Sequence, residues 1–296
     1  MVTFYRRLPK LDYIRPESMD ETIGLLARAD NGRYRVYAGG TDLIPKIKKR
    51  LLKTPEAIVD LKGIPGMDFI ELDDKGGLRM GALSTVRSVA ASPVVQERYS
   101  LLSQAAGSIA STQVQNRGTV AGNICSAVPS ADSAPALLCL EADLLCIGEK
   151  GERIIAIEEF FTGPMESALH RNEILKEIRI PPLSEHTRGV YIKLSTRSRM
   201  DLAVVGVAVL TMVDEETVKM IRIALGAVGP TPMRAREAES VIQGQKATEE
   251  RIRKAALKAS EESRPIDDHR ASAEYRRMMV EVLVRRGIHQ CLSGLP

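Results

Sequence analysis

The stretch Arg117-Gly-Thr-Val-Ala-Gly-Asn-Ile-Cys-Ser-Ala-Val-Pro-Ser-Ala-Asp-Ser-Ala-Pro135 is the least ordinary part of the sequence. It is rich in small residues and carries no charge between Arg117 and Asp132. A flexible linker would be more polar and less patterned. Gly118 and Gly122 allow another group to approach the backbone closely, because glycine has no Cβ. The pattern therefore indicates a structured segment rather than a linker.

The polar side chains of this stretch suit a ligand that carries phosphate and hydroxyl groups. Asn123, Ser126 and Ser130 can donate hydrogen bonds, and the Asp132 carboxylate can accept one from a ribose or polyol hydroxyl. The alternative is a packing seam of small residues with a helix cap at Ser130. The candidate binding residues are Gly118, Thr119, Gly122, Asn123, Ser126, Ser130 and Asp132.

A second glycine-rich turn lies nearer the N-terminus. A short predicted strand, 35–38, runs into Gly39-Gly40-Thr41-Asp42 and then into a helical pattern that starts at Leu43. A helix N-terminus with adjacent glycines suits a phosphate. The alternative is a tight strand-to-helix turn with Thr41 or Asp42 as the N-cap. Two such segments fit the two phosphates of a dinucleotide better than one does.

Lys193 is the third candidate. It lies among apolar neighbours on a predicted strand, Tyr191 to Leu194. An ammonium held near an electron-accepting ring would stabilise the reduced, anionic form of that ring and raise its potential. The alternative is a lysine on an edge strand whose charged end reaches solvent.

The order of the predicted elements indicates an α+β protein of two domains. Ser18 and Glu21 form a capping-box pattern, and segments 69–72 and 78–82 predict a hairpin. Beyond residue 175, strands are followed by helices. The predicted domains are residues 1–175, with subdomains of about 1–60 and 61–175, and residues 176–296.

Composition and absent motifs exclude several function classes. Hydrophobic residues make up 44% of the 296, enough for real cores, so a disordered chain is excluded. A net charge of only +4 and an aromatic content of 4% argue against nucleic-acid binding. The sequence has no GxGxxG or GxxxxGK[ST] nucleotide motif and no HExxH or GxSxG catalytic motif. Without a leader, an apolar span or cysteine pairs, the sequence predicts a cytoplasmic protein with no membrane insertion.

The chain resembles the FAD-binding (medium) subunit of the molybdenum hydroxylases, the xanthine dehydrogenase and carbon monoxide dehydrogenase group. The resemblance covers nearly the whole chain. The matching segments are Ala38-Gly-Gly-Thr-Asp-Leu43, Gly118 to Pro135, Glu173-Ile-Leu-Lys-Glu-Ile-Arg-Ile-Pro181, Gly229-Pro-Thr-Pro-Met-Arg-Ala-Arg-Glu-Ala238 and Pro265-Ile-Asp-Asp-His-Arg-Ala-Ser-Ala-Glu-Tyr-Arg276.

The resemblance implies a two-part FAD-binding domain of the p-cresol methylhydroxylase type, followed by a smaller α+β C-terminal domain. It places the FAD between the two glycine-rich segments and Lys193 near the flavin ring; Asp201 falls on a matched acidic position. Relatives often have glycine where this chain has Ala121. The first-loop residues implied are Ala38, Gly39, Gly40, Thr41, Asp42 and Leu43.

The resemblance also implies partners: a large subunit with the molybdenum cofactor and a small subunit with [2Fe-2S] clusters. Electrons would pass through FAD to a soluble acceptor, for which NAD is one candidate, and no side chain is expected to act as a nucleophile. Relatives that reduce hydroxybenzoyl-CoA carry a cysteine-rich insertion, which is missing here between Ser130 and Leu140, so no metal is expected. The alternatives are a self-sufficient FAD-dependent oxidoreductase, an aromatic acyl-CoA reductase subunit, and a non-catalytic module.

Overall fold

A computed structural model describes residues 7–29, 33–197, 200–214 and 217–293. Residues 1–6 and 294–296, at the outer ends of the two predicted domains, lie outside the described residues. Within the described ranges, no helix combines the length and the apolar character needed to cross a bilayer.

The helices and strands follow one another in a mixed order. The strands are β1 (Asp12–Ile14), β2 (Tyr34–Tyr37), β3 (Ala57–Asp60), β4 (Ile70–Leu72), β5 (Leu78–Gly81), β6 (Asp143–Gly148), β7 (Gly151–Ala156), β8 (Phe161–Gly163), β9 (Glu166–Ser167), β10 (Ile174–Ile180), β11 (Thr187–Leu194), β12 (Val205–Asp214), β13 (Thr217–Gly226) and β14 (Met233–Arg234). The helices are α1 (Met19–Arg28), α2 (Leu43–Lys48), α3 (Val86–Ala91), α4 (Pro93–Arg98), α5 (Ser100–Gly107), α6 (Thr112–Gln115), α7 (Val120–Cys125), α8 (Ser133–Cys139), α9 (Ile157–Phe160), α10 (Arg236–Ile242), α11 (Glu249–Glu262) and α12 (Ala273–Leu292).

The N-terminal part forms a three-stranded parallel sheet in the order β1-β3-β2. Parallel neighbours need crossover connections, and α2 lies in the one that joins β2 to its neighbour β3. The predicted Ser18 cap is confirmed, because the Ser18 hydroxyl accepts a hydrogen bond from the Glu21 N–H. The Glu21 carboxylate reaches back one residue further than a capping box requires and accepts a hydrogen bond from the Glu17 N–H. Strand β2 leads directly into the first glycine-rich turn.

A five-stranded antiparallel sheet, β4-β5-β10-β6-β7, forms the second part. The predicted hairpin is confirmed, because Ile70–Leu72 pairs with 78–80. The central strand, Ile174–Ile180, pairs with β5 on one side and β6 on the other. The predicted boundary near residue 175 falls inside this strand. We therefore propose that the first domain extends beyond Ile180.

The C-terminal part is a four-stranded antiparallel sheet, β11-β12-β13-β14, with helices α10 to α12 on one face. Strand β12 is buried on both faces because successive side chains point in opposite directions. Ala208 and Leu210 pack into the core of the first domain, whereas Val207 and Val209 pack against the C-terminal helices. Strand β12 therefore contributes side chains to the cores of both domains.

Two local features of the structure were not expected from the sequence pattern. The stretch after Gly118 contains α7 and α8, because Thr119 accepts a hydrogen bond from the Gly122 N–H and so caps a helix within the small-residue segment. The sequence pattern from Met233 to Ile242 predicts one helix, but α10 begins only at Arg236, because Met233 and Arg234 pair with β13 as a short strand. Both differences depend on contacts made by neighbouring elements.

Candidate functional site

The two glycine-rich segments meet in the structure. A Cβ built on Gly39 would lie 2.0 Å from the carbonyl oxygen of Arg117 and 2.7 Å from the Cα of Gly118. A Cβ built on Gly118 would lie 3.1 Å from the Thr41 hydroxyl oxygen. Any side chain at Gly39 would therefore push the two backbones apart. Segments almost 80 residues apart in sequence thus form one double loop.

Gly40 must also be glycine, for two structural reasons. Its φ is +71°, in the left-handed region, and a Cβ there would lie 2.2 Å from Cε2 of the Tyr37 ring. The turn after β2 therefore depends on Gly40 both for its backbone conformation and for the space that the ring occupies.

Asp42 and Ser126 join the two loops through their side chains. The Ser126 hydroxyl donates to Oδ2 of Asp42 at 2.8 Å, and Lys46 forms an ion pair with the same carboxylate at 2.6 Å. Asp42 occupies the N-cap position of α2 but makes no side-chain capping bond. The turn is thus a strand-to-helix turn with Asp42 at the N-cap position, as the alternative had it, but the Asp42 side chain bonds to Ser126 and Lys46 instead of capping the helix. Helix α2 has only six residues, so its dipole adds little to anion binding.

Asn123 lies on the same short helix as Gly122, and its Oδ1 accepts a hydrogen bond of 2.6 Å from the Ser133 hydroxyl. Ser130 is half-buried between α7 and α8. Asp132, rather than Ser130, occupies the N-cap position of α8, and its side chain makes no capping bond. The second segment therefore combines closely packed small residues with the half-buried polar side chains of Asn123, Ser126 and Ser130.

Lys193, Asp132 and Tyr191 form a buried cluster between the two domains. The Lys193 Nζ lies 2.8 Å from Oδ2 of Asp132 and 3.0 Å from the carbonyl oxygen of Ser108, and the Tyr191 hydroxyl donates to Oδ1 of Asp132 at 2.8 Å. Lys193 is on the edge strand β11, but its side chain is only 7% exposed. The alternative of a solvent-reaching lysine therefore does not hold.

The cluster has a marked electrostatic character. Burial raises the pKa of the Asp132 carboxyl, and the Lys193 charge opposes that rise without cancelling it. Burial and the neighbouring Asp132 carboxylate hold the pKa of the Tyr191 hydroxyl well above its usual range. Both oxygens of Asp132 already have partners in the protein, so we assign it the task of holding Lys193 rather than of binding a ribose hydroxyl.

One cavity adjoins the double loop and a second lies elsewhere along the segment 107–119, which contributes to the lining of both. One, of about 380 Å³, lies against Ala38, Gly39, Arg117 and Thr119. The other, of about 580 Å³, lies against Gly107, Ala110, Ser111 and Met200 among others. Ser108, whose carbonyl oxygen contacts Lys193, is adjacent to Gly107. The smaller cavity thus places open space directly beside the double loop.

Several residues of the site carry no signal in the sequence. Lys62, from the 3-10 turn after β3, contacts the carbonyl oxygen of Ala38 at 2.8 Å and lines the smaller cavity. Ser108 and Tyr191 complete the contacts around Lys193 and Asp132. None of these residues lies in a recognisable motif, so only the fold reveals them.

Asp201, the matched acidic position, lies in a polar turn after β11. Its carboxylate accepts hydrogen bonds from the Thr196 hydroxyl and from the backbone and side chain of Arg197. Among the described residues, no group of three His, Cys, Asp or Glu side chains is placed to hold a metal ion.

Comparison with protein families gives two matches that together span most of the chain. Residues 9–183 match the FAD binding domain in molybdopterin dehydrogenase. Residues 190–291 match the CO dehydrogenase flavoprotein C-terminal domain.

Individual proteins resemble the chain over nearly its full length. The carbon monoxide dehydrogenase medium chain of Hydrogenophaga pseudoflava is 34% identical over 281 residues, 95% of this chain and 96% of that one. The xanthine dehydrogenase FAD-binding subunit of Escherichia coli O157:H7 is 30% identical over 283 residues, 95% of this chain and 96% of the other.

Solved structures show the same similarity in three dimensions. A chain of the Hydrogenophaga pseudoflava carbon monoxide dehydrogenase superposes with a TM-score of 0.94 at 33% identity, covering 97% of this chain and 99% of that one. Quinoline 2-oxidoreductase from Pseudomonas putida 86 superposes with a TM-score of 0.90 at 27% identity, covering 97% and 99% of the two chains.

Proposed function

Because the chain belongs to the family of FAD-binding medium subunits of the molybdenum hydroxylases, we propose that it carries electrons from the iron–sulfur clusters of a partner subunit, through FAD, to a separate acceptor. Family membership confirms the predicted fold class, the FAD cofactor and the oxidoreductase class. The electron path and the acceptor are parts of the proposal.

The meeting of Gly39 with Gly118 is the observation that carries the proposal. It forms a double loop without side chains at its centre, and the smaller cavity lies beside it. We assign the diphosphate of FAD to this double loop, where Thr41 and the backbone of both segments can donate hydrogen bonds. The further binding residues proposed are Ala38, Gly40, Asp42, Leu43, Thr119, Gly122, Asn123, Ser126 and Ser130.

Lys193 is proposed to lie at the ring end of the cofactor. FAD, when bound, supplies the exchange of electrons singly on one side and in pairs on the other. Asp132 and the Ser108 carbonyl oxygen hold the Lys193 ammonium in place, where its charge favours added negative charge nearby. Side chains of this chain thus bind, orient and tune, and none is assigned as a nucleophile.

The partner subunits in this proposal are a large subunit with the molybdenum cofactor and a small subunit with [2Fe-2S] clusters, and the complex works in the cytoplasm. Relatives are named medium chains of carbon monoxide dehydrogenases, which supports an assembly of several subunits. NAD is one candidate acceptor, and the substrate is oxidised in the large subunit rather than here.

An absorption spectrum of the purified full chain tests the proposal. The wild-type protein is expected to carry the two visible bands of bound flavin. Gly40→Val should purify folded but without flavin, because a β-branched side chain at a φ of +71° collides with the Tyr37 ring. A colourless wild-type protein that also fails to take up added FAD would overturn the proposal, and so would a Gly40→Val protein with full flavin content. Oxidation of a donor by the isolated chain would favour the self-sufficient enzyme instead.

A further inference from the structure

Lys62 lies directly beside the first glycine turn, although no motif marks it. Its Nζ is 2.6 Å from Oδ1 of Asp60, 2.8 Å from the carbonyl oxygen of Ala38 and 3.9 Å from the centre of the Tyr37 ring. The side chain is one-third exposed and lines the smaller cavity. Its ammonium therefore contacts the residue at which the turn begins.

The contacts of Lys62 engage its whole ammonium group. An ammonium has three N–H donors. One points to the Asp60 carboxylate and one to the Ala38 carbonyl oxygen, and the third side of the group faces the Tyr37 ring, a cation–π geometry. With its donors engaged in this way, Lys62 is better placed to hold the protein loop than to bind a phosphate directly.

Asp60 anchors the other end of this contact. Its side chain is 2% exposed, and Oδ1 also accepts the Lys62 backbone N–H at 3.0 Å, whereas Oδ2 accepts the Tyr13 hydroxyl. Burial raises the pKa of Asp60, but hydrogen bonds from Lys62 and Tyr13 outweigh it, so the pKa stays below its usual value. A fixed carboxylate on the central strand β3 thus fixes the position of the lysine.

The Tyr37 ring transmits that position to the glycine turn. The ring has Lys62 on one side and Gly40 so close that a Cβ at Gly40 would lie 2.2 Å from it. A shift of the ring would therefore move the one residue of the turn with left-handed backbone. Both the carbonyl oxygen that begins the turn and the ring that supports it depend on Lys62.

We propose that Lys62, fixed by Asp60, is a positioning residue that keeps the Ala38–Gly40 turn in the conformation that binds FAD. The inference rests on the proposed function, because it concerns the same FAD site. It assigns to Asp60 and Lys62 a part in cofactor affinity that follows from their contacts with Ala38 and Tyr37.

The test compares Lys62→Met with Tyr13→Phe in the full chain. Tyr13→Phe removes a hydrogen bond from the same carboxylate but leaves the contacts with Ala38 and Tyr37 intact. Flavin is removed, FAD is titrated back while its fluorescence is followed, and the thermal unfolding of each apoprotein is recorded. We expect Lys62→Met to weaken FAD binding about tenfold or more, and Tyr13→Phe to stay within about twofold of wild type.

Lys62→Arg provides a conservative rescue, since a guanidinium can bond to both oxygens and lie over the ring. It should bind FAD several-fold more tightly than Lys62→Met. Should Lys62→Met fail to fold, Lys62→Gln takes its place with the same expected loss. Equal FAD affinities of the wild type and the uncharged Lys62 variant would overturn the inference. So would a loss of FAD affinity in Tyr13→Phe as large as that in Lys62→Met, if both losses parallel a fall in the unfolding temperature of the apoprotein. Failure of the wild-type apoprotein to bind FAD would instead count against the proposed function.

Discussion

Lys193 and Asp132 form a buried ion pair between the two domains, with Nζ 2.8 Å from Oδ2 and side chains that are 7% and 8% exposed. They are 61 residues apart in the sequence. The pair joins the edge strand of the C-terminal sheet to the N-terminus of α8 in the first domain. It therefore links domain packing to the site in which FAD is proposed to lie.

Removal of the lysine should destabilise the protein strongly. Lys193→Met leaves the Asp132 carboxylate buried and without its cation, and we expect a loss of about 3–5 kcal/mol in the free energy of unfolding. The double variant Lys193→Met/Asp132→Asn should lose less than Lys193→Met alone. Chemical denaturation measures both, with Lys176→Met as the control. Lys176 pairs with Glu152 on the surface, so its loss should stay below about 1 kcal/mol. Equal losses in the Lys193 and Lys176 variants would contradict the prediction.

The two residues of this pair should shift the midpoint potential of the bound flavin in opposite directions. Lys193→Met removes a positive charge near the ring and should lower the midpoint potential by about 30 mV or more, the equivalent of ~1.4 kcal/mol for a two-electron couple. Asp132→Asn removes the opposing negative charge and should raise it. Spectroscopic redox titration of the reconstituted proteins measures both shifts. Shifts of the same sign in the two variants would contradict the placement of Lys193 beside the flavin ring.

The stretches with strong local signals were predictable from the sequence. The Ser18 cap and the β4–β5 hairpin are determined by residues close together in the chain, so their patterns are visible without the fold. The glycines at 39 and 118 were also recognised, because a backbone that approaches another group closely leaves few other residue choices. Their meeting could be expected only through the dinucleotide hypothesis.

The rest of the site was not predictable because it depends on contacts between distant segments. Lys62 reaches Ala38 across 24 residues, and its own segment has no motif. Asp132 was assigned to a ligand hydroxyl, but two side chains from β11 approach it in the fold. Helix α7 was hidden for a different reason: Gly122 has low helix propensity, and the Thr119 cap outweighs it.

Asp268 should make the C-terminal domain less stable at acidic pH. It pairs with Arg270 and with Arg276, whose buried guanidinium also donates to the carbonyl oxygens of Val204 and Ala227. Burial raises the pKa of Asp268, but the hydrogen bonds from Arg270 and the charge of Arg276 outweigh it and hold the pKa far below its usual range.

The sign of the effect follows from that depressed pKa. The stabilisation is complete above the ordinary aspartate pKa of about 4, and it is lost as the pH falls from there toward the native pKa, because the unfolded chain then binds the proton first. Asp268→Asn should lose about 3 kcal/mol at pH 7, and this difference from wild type should shrink below pH ~4. Denaturation at pH 7, 5 and 3 measures it. Asp214→Asn, at an exposed pair with Lys219, is the control and should change stability little at any pH. A difference that stays constant down to pH 3 would contradict the assignment.

The contact between Gly39 and Gly118 leads to the sharpest substitution. Gly39→Ala adds a single methyl group, but its Cβ would lie 2.0 Å from the Arg117 carbonyl oxygen, a distance that backbone atoms must move to relieve. Separation of the two loops should lower FAD affinity at least tenfold and lower the free energy of unfolding by about 1–3 kcal/mol. Gly24→Ala is the matched control, because a Cβ there meets nothing within 4 Å and the residue lies within α1. That change should retain FAD and add about 0.5–1 kcal/mol of stability through helix propensity. FAD titration and denaturation of the two variants side by side measure the contrast, and a Gly39→Ala protein that binds FAD as tightly as Gly24→Ala would show that the double loop does not hold the diphosphate.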